Sequence, residues 1–216
     1  MPQSPSSRDP SWSIVEADFV AAAHQLAQLP PADRPELAFA GRSNVGKSSL
    51  MNAALGRRRL VRTSSTPGCT RAVALLSARA RDGAEFSLLV LPGYGFAKRS
   101  KAERAAWARL VEGYLVERAA LRAVVVLIDA RHGPTDDDLR LMEFIRTRSH
   151  SAPELIVVAT KLDKVQKSRR RATLQKLDRT IGRSAIGASA VTGQGVDALW
   201  EALRQAVAAA PSQAPA

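Results

Sequence analysis

Three short stretches hold residue types able to grip a nucleotide. The first is Gly41-Arg42-Ser43-Asn44-Val45-Gly46-Lys47-Ser48, with Ser49 continuing into a helix-like segment and an apolar run, Leu37 to Ala40, leading in. Two glycines, a lysine and a hydroxyl at this spacing, between a strand and a helix, form a phosphate-binding loop. Gly41 and Gly46 let the backbone approach a phosphate with no Cβ in the way, and the N–H groups at the helix start point at the anion. The Lys47 ammonium would lie along the β and γ phosphates, a role in binding and in catalysis, and the Ser48 hydroxyl would be a direct Mg²⁺ ligand.

The second stretch selects the base. Thr160-Lys161-Leu162-Asp163 follows an apolar run directly. The Asp163 carboxylate offers two acceptor oxygens, which match the ring N–H and exocyclic NH₂ of guanine; adenine has no such donor pair, so an ATP-dependent enzyme is disfavoured. Lys161 would lay its aliphatic stem along the base plane. Ser189-Ala190 stands where a backbone N–H reaches the guanine carbonyl. The third stretch would sense the γ-phosphate: Thr66-Pro67-Gly68-Cys69-Thr70-Arg71, in which Thr70 rather than Thr66 is the expected Mg²⁺ ligand, and Pro92-Gly93, whose glycine N–H is placed for the same phosphate. Cys69 reads as an incidental small residue of that loop.

These stretches need a scaffold of alternating strands and helices. Leu37–Ala40, Ala123–Asp129, Leu155–Ala159 and Ala185–Ala188 read as buried strands. Ala72–Ser77 and Phe86–Leu91 flank Arg81-Asp82-Gly83 and should pair antiparallel. Helices are expected over Ala17–Gln28, from a Ser100/Glu103 capping box through Leu115, from the acidic turn Asp136-Asp137-Asp138, over Ser168–Ile181, and along Val196, Leu199, Trp200, Leu203 and Val207. The fold class is α/β: a mostly parallel six-stranded sheet with one antiparallel edge strand and helices on both faces, binding ligands outside the carboxyl ends of its strands. Residues 15–210 form one domain; 1–14 and 211–216 read as disordered.

Composition narrows the partners. The 216 residues carry 32 Lys and Arg against 20 Asp and Glu, a net charge of +12, and no apolar run is long enough to span a membrane. A basic surface without a membrane segment favours nucleic acid over lipid. Three basic clusters flank the nucleotide stretches: Arg57, Arg58, Arg59 and Arg62; Lys98, Arg99, Lys101 and Arg104; and Lys164, Lys167, Arg169, Arg170 and Arg171. One cysteine and no export signal fit a cytoplasmic location. His24, His132 and His150 lack metal-ligand spacing.

The combination GRSNVGKSSL, TPGCTR, PGYGFAK, TKLD and SA, with IDARHGPTDDD, resembles the EngB (YihA/YsxC) family of bacterial GTPases, within the TrmE-Era-EngA-YihA-Septin group, from about Trp12 to Val207. The resemblance implies a Ras-like domain, Mg²⁺-dependent GTP hydrolysis, and a role in assembling the large ribosomal subunit, through its rRNA or proteins, linked to septum formation. It matches Lys47 and Ser48 to phosphate and Mg²⁺, Thr70 to Mg²⁺, and Asp163 to guanine. It also raises Asn44 as a K⁺ ligand, beside the simpler reading of a turn-stabilising side chain. A monomer is expected.

Two positions depart from the pattern. Where the family has Asp-x-Pro-Gly, with the aspartate holding Mg²⁺ through a water, this chain has Val90. Where Ras-like enzymes carry a water-orienting glutamine it has Tyr94. Nucleotide binding with weak Mg²⁺ retention and slow turnover is therefore expected. The competing expectation is a nucleotide-responsive RNA-binding module with negligible hydrolysis.

Overall fold

A computed structural model describes residues 13–57, 60–61, 72–95, 101–148 and 153–209, with side chains excepted at 101–104 and 148. The Thr66–Arg71 loop with Gly68, Cys69 and Thr70, the Ser100/Glu103 cap, and Arg58, Arg59, Arg62, Lys98, Arg99, Lys101 and Arg104 as side chains lie outside this description.

Seven strands form one sheet in the order β1-β3-β4-β2-β5-β6-β7. They are β1 (Ile14–Ala23), β2 (Glu36–Gly41), β3 (Val73–Ala80), β4 (Glu85–Val90), β5 (Leu121–Asp129), β6 (Glu154–Thr160) and β7 (Ile186–Gly187). The helices are α1 (Lys47–Ala54), α2 (Lys101–Glu117), α3 (Asp136–Arg148), α4 (Arg170–Ile181) and α5 (Val196–Ala208). From β4 to β7 every pairing is parallel, and β3 alone runs against its neighbours β1 and β4.

Period-two alternation sends successive residues to opposite faces. Phe39, Val90, Val125 and Leu127 pack toward Leu50 and Met51 of α1 and Leu199 and Leu203 of α5. Their neighbours Ala38, Leu89, Val124 and Val126 pack toward Val111 and Tyr114 of α2, Ile145 of α3 and Leu177 of α4. The central strands are thus buried on both faces, as a parallel sheet covered by helices requires. At the foot of β2, buried Glu36 accepts from the Tyr114 hydroxyl at 2.9 Å and pairs with Arg118, which pins α2 to the sheet.

Two expectations are corrected. The helix expected over Ala17–Gln28 is instead the end of β1 followed by a single 3-10 turn, Leu26–Gln28. Alanine favours helix locally, but Phe19 to Ala23 pair with Leu76 to Val73 across the sheet, and tertiary pairing overrides so weak a preference. The sheet consequently has seven strands rather than six, with β1 outside the antiparallel strand β3.

Candidate nucleotide site

The phosphate loop joins β2 to α1 at the carboxyl end of the parallel strands, and its conformation explains its glycines. Gly41 has φ +147°, and a Cβ there would stand 2.7 Å from the Leu127 carbonyl oxygen. Gly46, at φ +112°, precedes the first residue of α1. Asn44 also takes a left-handed backbone, φ +61°, with its side chain exposed. The buried Lys47 Nζ donates to the Gly41 and Arg42 carbonyls at 2.7 and 3.0 Å, so its ammonium is folded over the loop. Ser48 is half-buried in the first turn of α1.

The Thr160–Asp163 stretch is fastened to this loop. The Thr160 hydroxyl donates to the Val45 carbonyl at 2.7 Å. Lys161, itself left-handed at φ +56°, extends Nζ to the Asn44 carbonyl at 2.6 Å and to Asp129 at 3.0 Å. Burial works to raise the Asp129 pKa, yet hydrogen bonds from Arg131 and Lys161 outweigh it and hold this carboxyl well below the usual range. Asp163 accepts a hydrogen bond from the fully buried Ser189 hydroxyl at 2.7 Å. That hydroxyl in turn accepts from the Val191 and Thr192 N–H groups. Residues 41–48, 160–163 and 189 therefore meet, as their order along an α/β sheet predicts.

Ser189 departs from expectation in one respect. Its backbone N–H is already given to the Gln194 carbonyl at 2.9 Å, so of the pair Ser189-Ala190 only Ala190 remains to donate to a base. The serine meets Asp163 through its side-chain hydroxyl instead.

At the phosphate end, Gly93 lies so close to the loop that a Cβ would fall 2.6 Å from Ser43 Oγ and 2.9 Å from Lys47 Nζ. The Ser43 N–H donates to the Tyr94 carbonyl at 3.0 Å. The Tyr94 side chain turns away from the loop and donates to Asp138 at 2.6 Å, while Asp138 also accepts from the Thr135 N–H and hydroxyl, each at 2.7 Å. Asp138 is buried, so one member of the acidic first turn of α3 is an anchor as well as a partner of the helix dipole. Burial first, then the Asp138 charge, push the Tyr94 phenol well above its ordinary pKa. Trp107 of α2 donates Nε1–H to the Pro92 carbonyl at 2.7 Å and stands edge-on to Tyr94, ring centres 5.5 Å apart. Nothing in the sequence spacing signals this clamp, because its parts lie far apart along the chain.

Val90 is fully buried, across from Phe39 on β2 and Ala74 on β3. Glu85, the carboxylate of the same strand, sits at its opposite end beside Arg34. Among the described residues no cluster of three or more His, Cys, Asp or Glu could hold a metal. Beside the Ser48 hydroxyl, β4 therefore brings Val90 and no carboxylate to this end of the site, which fits a strongly held Mg²⁺ poorly.

A phosphate loop between β2 and α1, with residues 160–163 and 189 brought against it at the carboxyl end of a mostly parallel sheet between helix layers, has the form of a P-loop GTP-binding domain. Residues 36–161 match the family described as 50S ribosome-binding GTPase. The probable GTP-binding protein EngB of Anaeromyxobacter sp. (strain K) is 44% identical over 211 residues, covering 94% of this chain and 96% of the relative. That of Geobacillus kaustophilus is 42% identical over 203 residues, with 91% and 99% covered. The chain belongs to the EngB family of GTP-binding proteins. Solved structures agree on the fold: a probable GTP-binding protein EngB matches at TM-score 0.63 and 22% identity over 80% of this chain and 98% of its own. Era in complex with MgGDPNP and nucleotides 1506–1542 of 16S ribosomal RNA matches at TM-score 0.68 and 22% identity, over 86% and 60%. Among the described residues no helix is long and apolar enough to cross a membrane.

Proposed function

We propose that this protein is a GTP-binding switch with slow intrinsic hydrolysis that acts in the cytoplasm, as a monomer, on the assembling large ribosomal subunit, with a link to septation. The guanine clamp carries this reading: Asp163 held by Ser189, and Lys161 fastened to both Asp129 and the phosphate loop. Ala190 would donate to the guanine carbonyl, Gly41 to Ser49 would cradle the phosphates, and Thr70 and Gly93 would report the γ-phosphate. Ser48 and Thr70 would hold Mg²⁺ when it is bound; the ion would neutralise phosphate charge. The family description and the basic surface support a ribosomal partner.

A second reading, an RNA-binding switch with negligible hydrolysis, is favoured by the apolar burial of Val90. A multiple-turnover GTPase assay with and without large ribosomal subunits separates the two. Slow turnover that subunits accelerate is the expected result, and turnover at background in both conditions would establish the second reading. Running the assay in K⁺ and in Na⁺ tests Asn44, and equal rates would remove its role as a K⁺ ligand.

A further inference from the structure

A groove of about 680 Å³ lies beside Asp163, between the loop that leaves β5 and one face of α4. Its volume is that of a small-ligand pocket. Arg131, Lys164, Arg169 and Lys176 line it, with the exposed His132 and the half-buried Val165 between them. No carboxylate lines it. Two of the cations are shared with the nucleotide end: Arg131 with Asp129 at 2.7 Å, and Lys164 with Asp163 at 4.0 Å. Arg169 and Lys176 have no ion pair among the described residues and stand exposed on the rim.

The charge does not stop at the groove. Segment 164–181 carries seven Lys or Arg against one carboxylate, Asp178, which is engaged by the Ala185 N–H at 2.8 Å. A free anion would need only one or two of these cations; four around one groove with no carboxylate among its lining residues suit successive phosphates of a chain. The His132 ring and the guanidinium planes of Arg131 and Arg169 suit an unstacked base, which is how single-stranded RNA is read.

We propose that this groove binds a single-stranded RNA segment, one nucleoside against His132 and Val165 and its flanking phosphates on Arg131, Lys164, Arg169 and Lys176. The inference rests on the ribosomal reading and gives it a surface distinct from the nucleotide cleft. Each phosphate contact releases counterion, so affinity falls with salt at a slope of about 0.7 per contact. Four contacts predict about a 50-fold loss between 50 and 200 mM salt, and two predict about sevenfold.

The test is fluorescence anisotropy of a labelled single-stranded RNA oligonucleotide with the full GDP-loaded chain. The double variant R169Q/K176Q should weaken binding at low salt and shrink the salt loss from about 50-fold to about sevenfold, with GDP affinity unchanged. The variant R146Q/R204Q removes the same charge from α3 and α5 and should leave RNA binding near wild type. An unchanged salt slope in R169Q/K176Q, an equal loss in R146Q/R204Q, or displacement of the RNA by an equally charged acidic peptide would overturn the assignment. Sedimentation with large subunits keeps the two readings apart. Subunit binding that survives without RNA binding sinks the groove alone, and RNA binding as expected without subunit binding sinks the ribosomal reading.

Discussion

The two ends of the nucleotide cleft are built on opposite terms. At the guanine end, polar groups are tied to one another before any ligand arrives: Asp163 to Ser189, Thr160 to Val45, Lys161 to Asn44 and Asp129. Such bonds hold side chains in one rotamer, so little entropy is lost when a base docks. At the phosphate end the loop has its glycines and lysine, but the strand that should bring a carboxylate to the metal ends in Val90, packed among apolar side chains. Tyr94, in the place of a water-orienting glutamine, is bonded into the protein interior. Among the described residues, the polar network of one end is tied together in advance while β4 brings no carboxylate to the other, since the two ends depend on different residues.

The sharpest way to break this contrast is at the guanine end. Asp163→Ala removes two charged hydrogen bonds to the base, each worth about 1.5–3 kcal/mol, so GDP affinity should fall at least about 100-fold in a fluorescence titration. A change of only a few-fold would mean that Asp163 does not select the base. Next comes the phosphate end, where Val90→Asp should raise Mg²⁺ affinity and GTP turnover about 10- to 100-fold. The buried carboxylate will cost stability without its ion, so the comparison is made at saturating Mg²⁺ and nucleotide. Unchanged Mg²⁺ dependence in a folded variant would show that Val90 is not what limits the metal.

What could be read from the chain in advance follows the same division. Residues 41–48 and 160–163 declare themselves because each is a contiguous loop whose chemistry is set by local spacing. The β3–β4 hairpin was equally plain, since Asp82-Gly83 sits between two apolar runs and Arg79 to Ala74 pair with Glu85 to Val90. By contrast, β1 was hidden: its alanines suit a helix, and only partners on β3 some fifty residues later make it a strand. Tyr94 with Asp138, and Ser189 with Asp163, were likewise invisible, because such bonds join residues whose proximity exists only in the folded sheet. The Val90 departure was legible, but its full burial and the position of Glu85 at the far end of β4 came from the structure.

Smaller effects refine the picture. Ser189→Ala deletes the hydroxyl bonded to Asp163 and should weaken GDP binding about tenfold, or about 1.4 kcal/mol, near the low end of the range of about 1.5–3 kcal/mol for one hydrogen bond to a charged group. Loss as large as that of Asp163→Ala would mean that the serine acts on more than the carboxylate's orientation. A comparable loss of GTP over GDP preference is not expected, because Ser189 belongs to the base end.

Tyr94→Phe probes the clamp at the other end with little disturbance of packing. Asp138 keeps its two bonds from Thr135, so losing the phenol donor should cost about 1 kcal/mol, or about 2–4 °C in Tm for a chain of this size. The pH dependence gives the change its signature. The folded phenol titrates well above its ordinary value, so its stabilisation is fully present below the unfolded tyrosine pKa near 10 and declines as pH rises beyond it. Unfolded chains then release a proton that the folded protein retains, at about 1.4 kcal/mol per pH unit. Wild type should therefore lead Tyr94→Phe at neutral pH, and the gap should narrow above pH about 10. Tyr114, equally buried against Glu36, contributes an alkaline decline common to both proteins and cancels from the difference. A gap that stays constant through this range would place the Tyr94 hydroxyl in solvent rather than on Asp138, and the second end of the cleft would lose the anchor that holds Pro92 to Tyr94 against the phosphate loop.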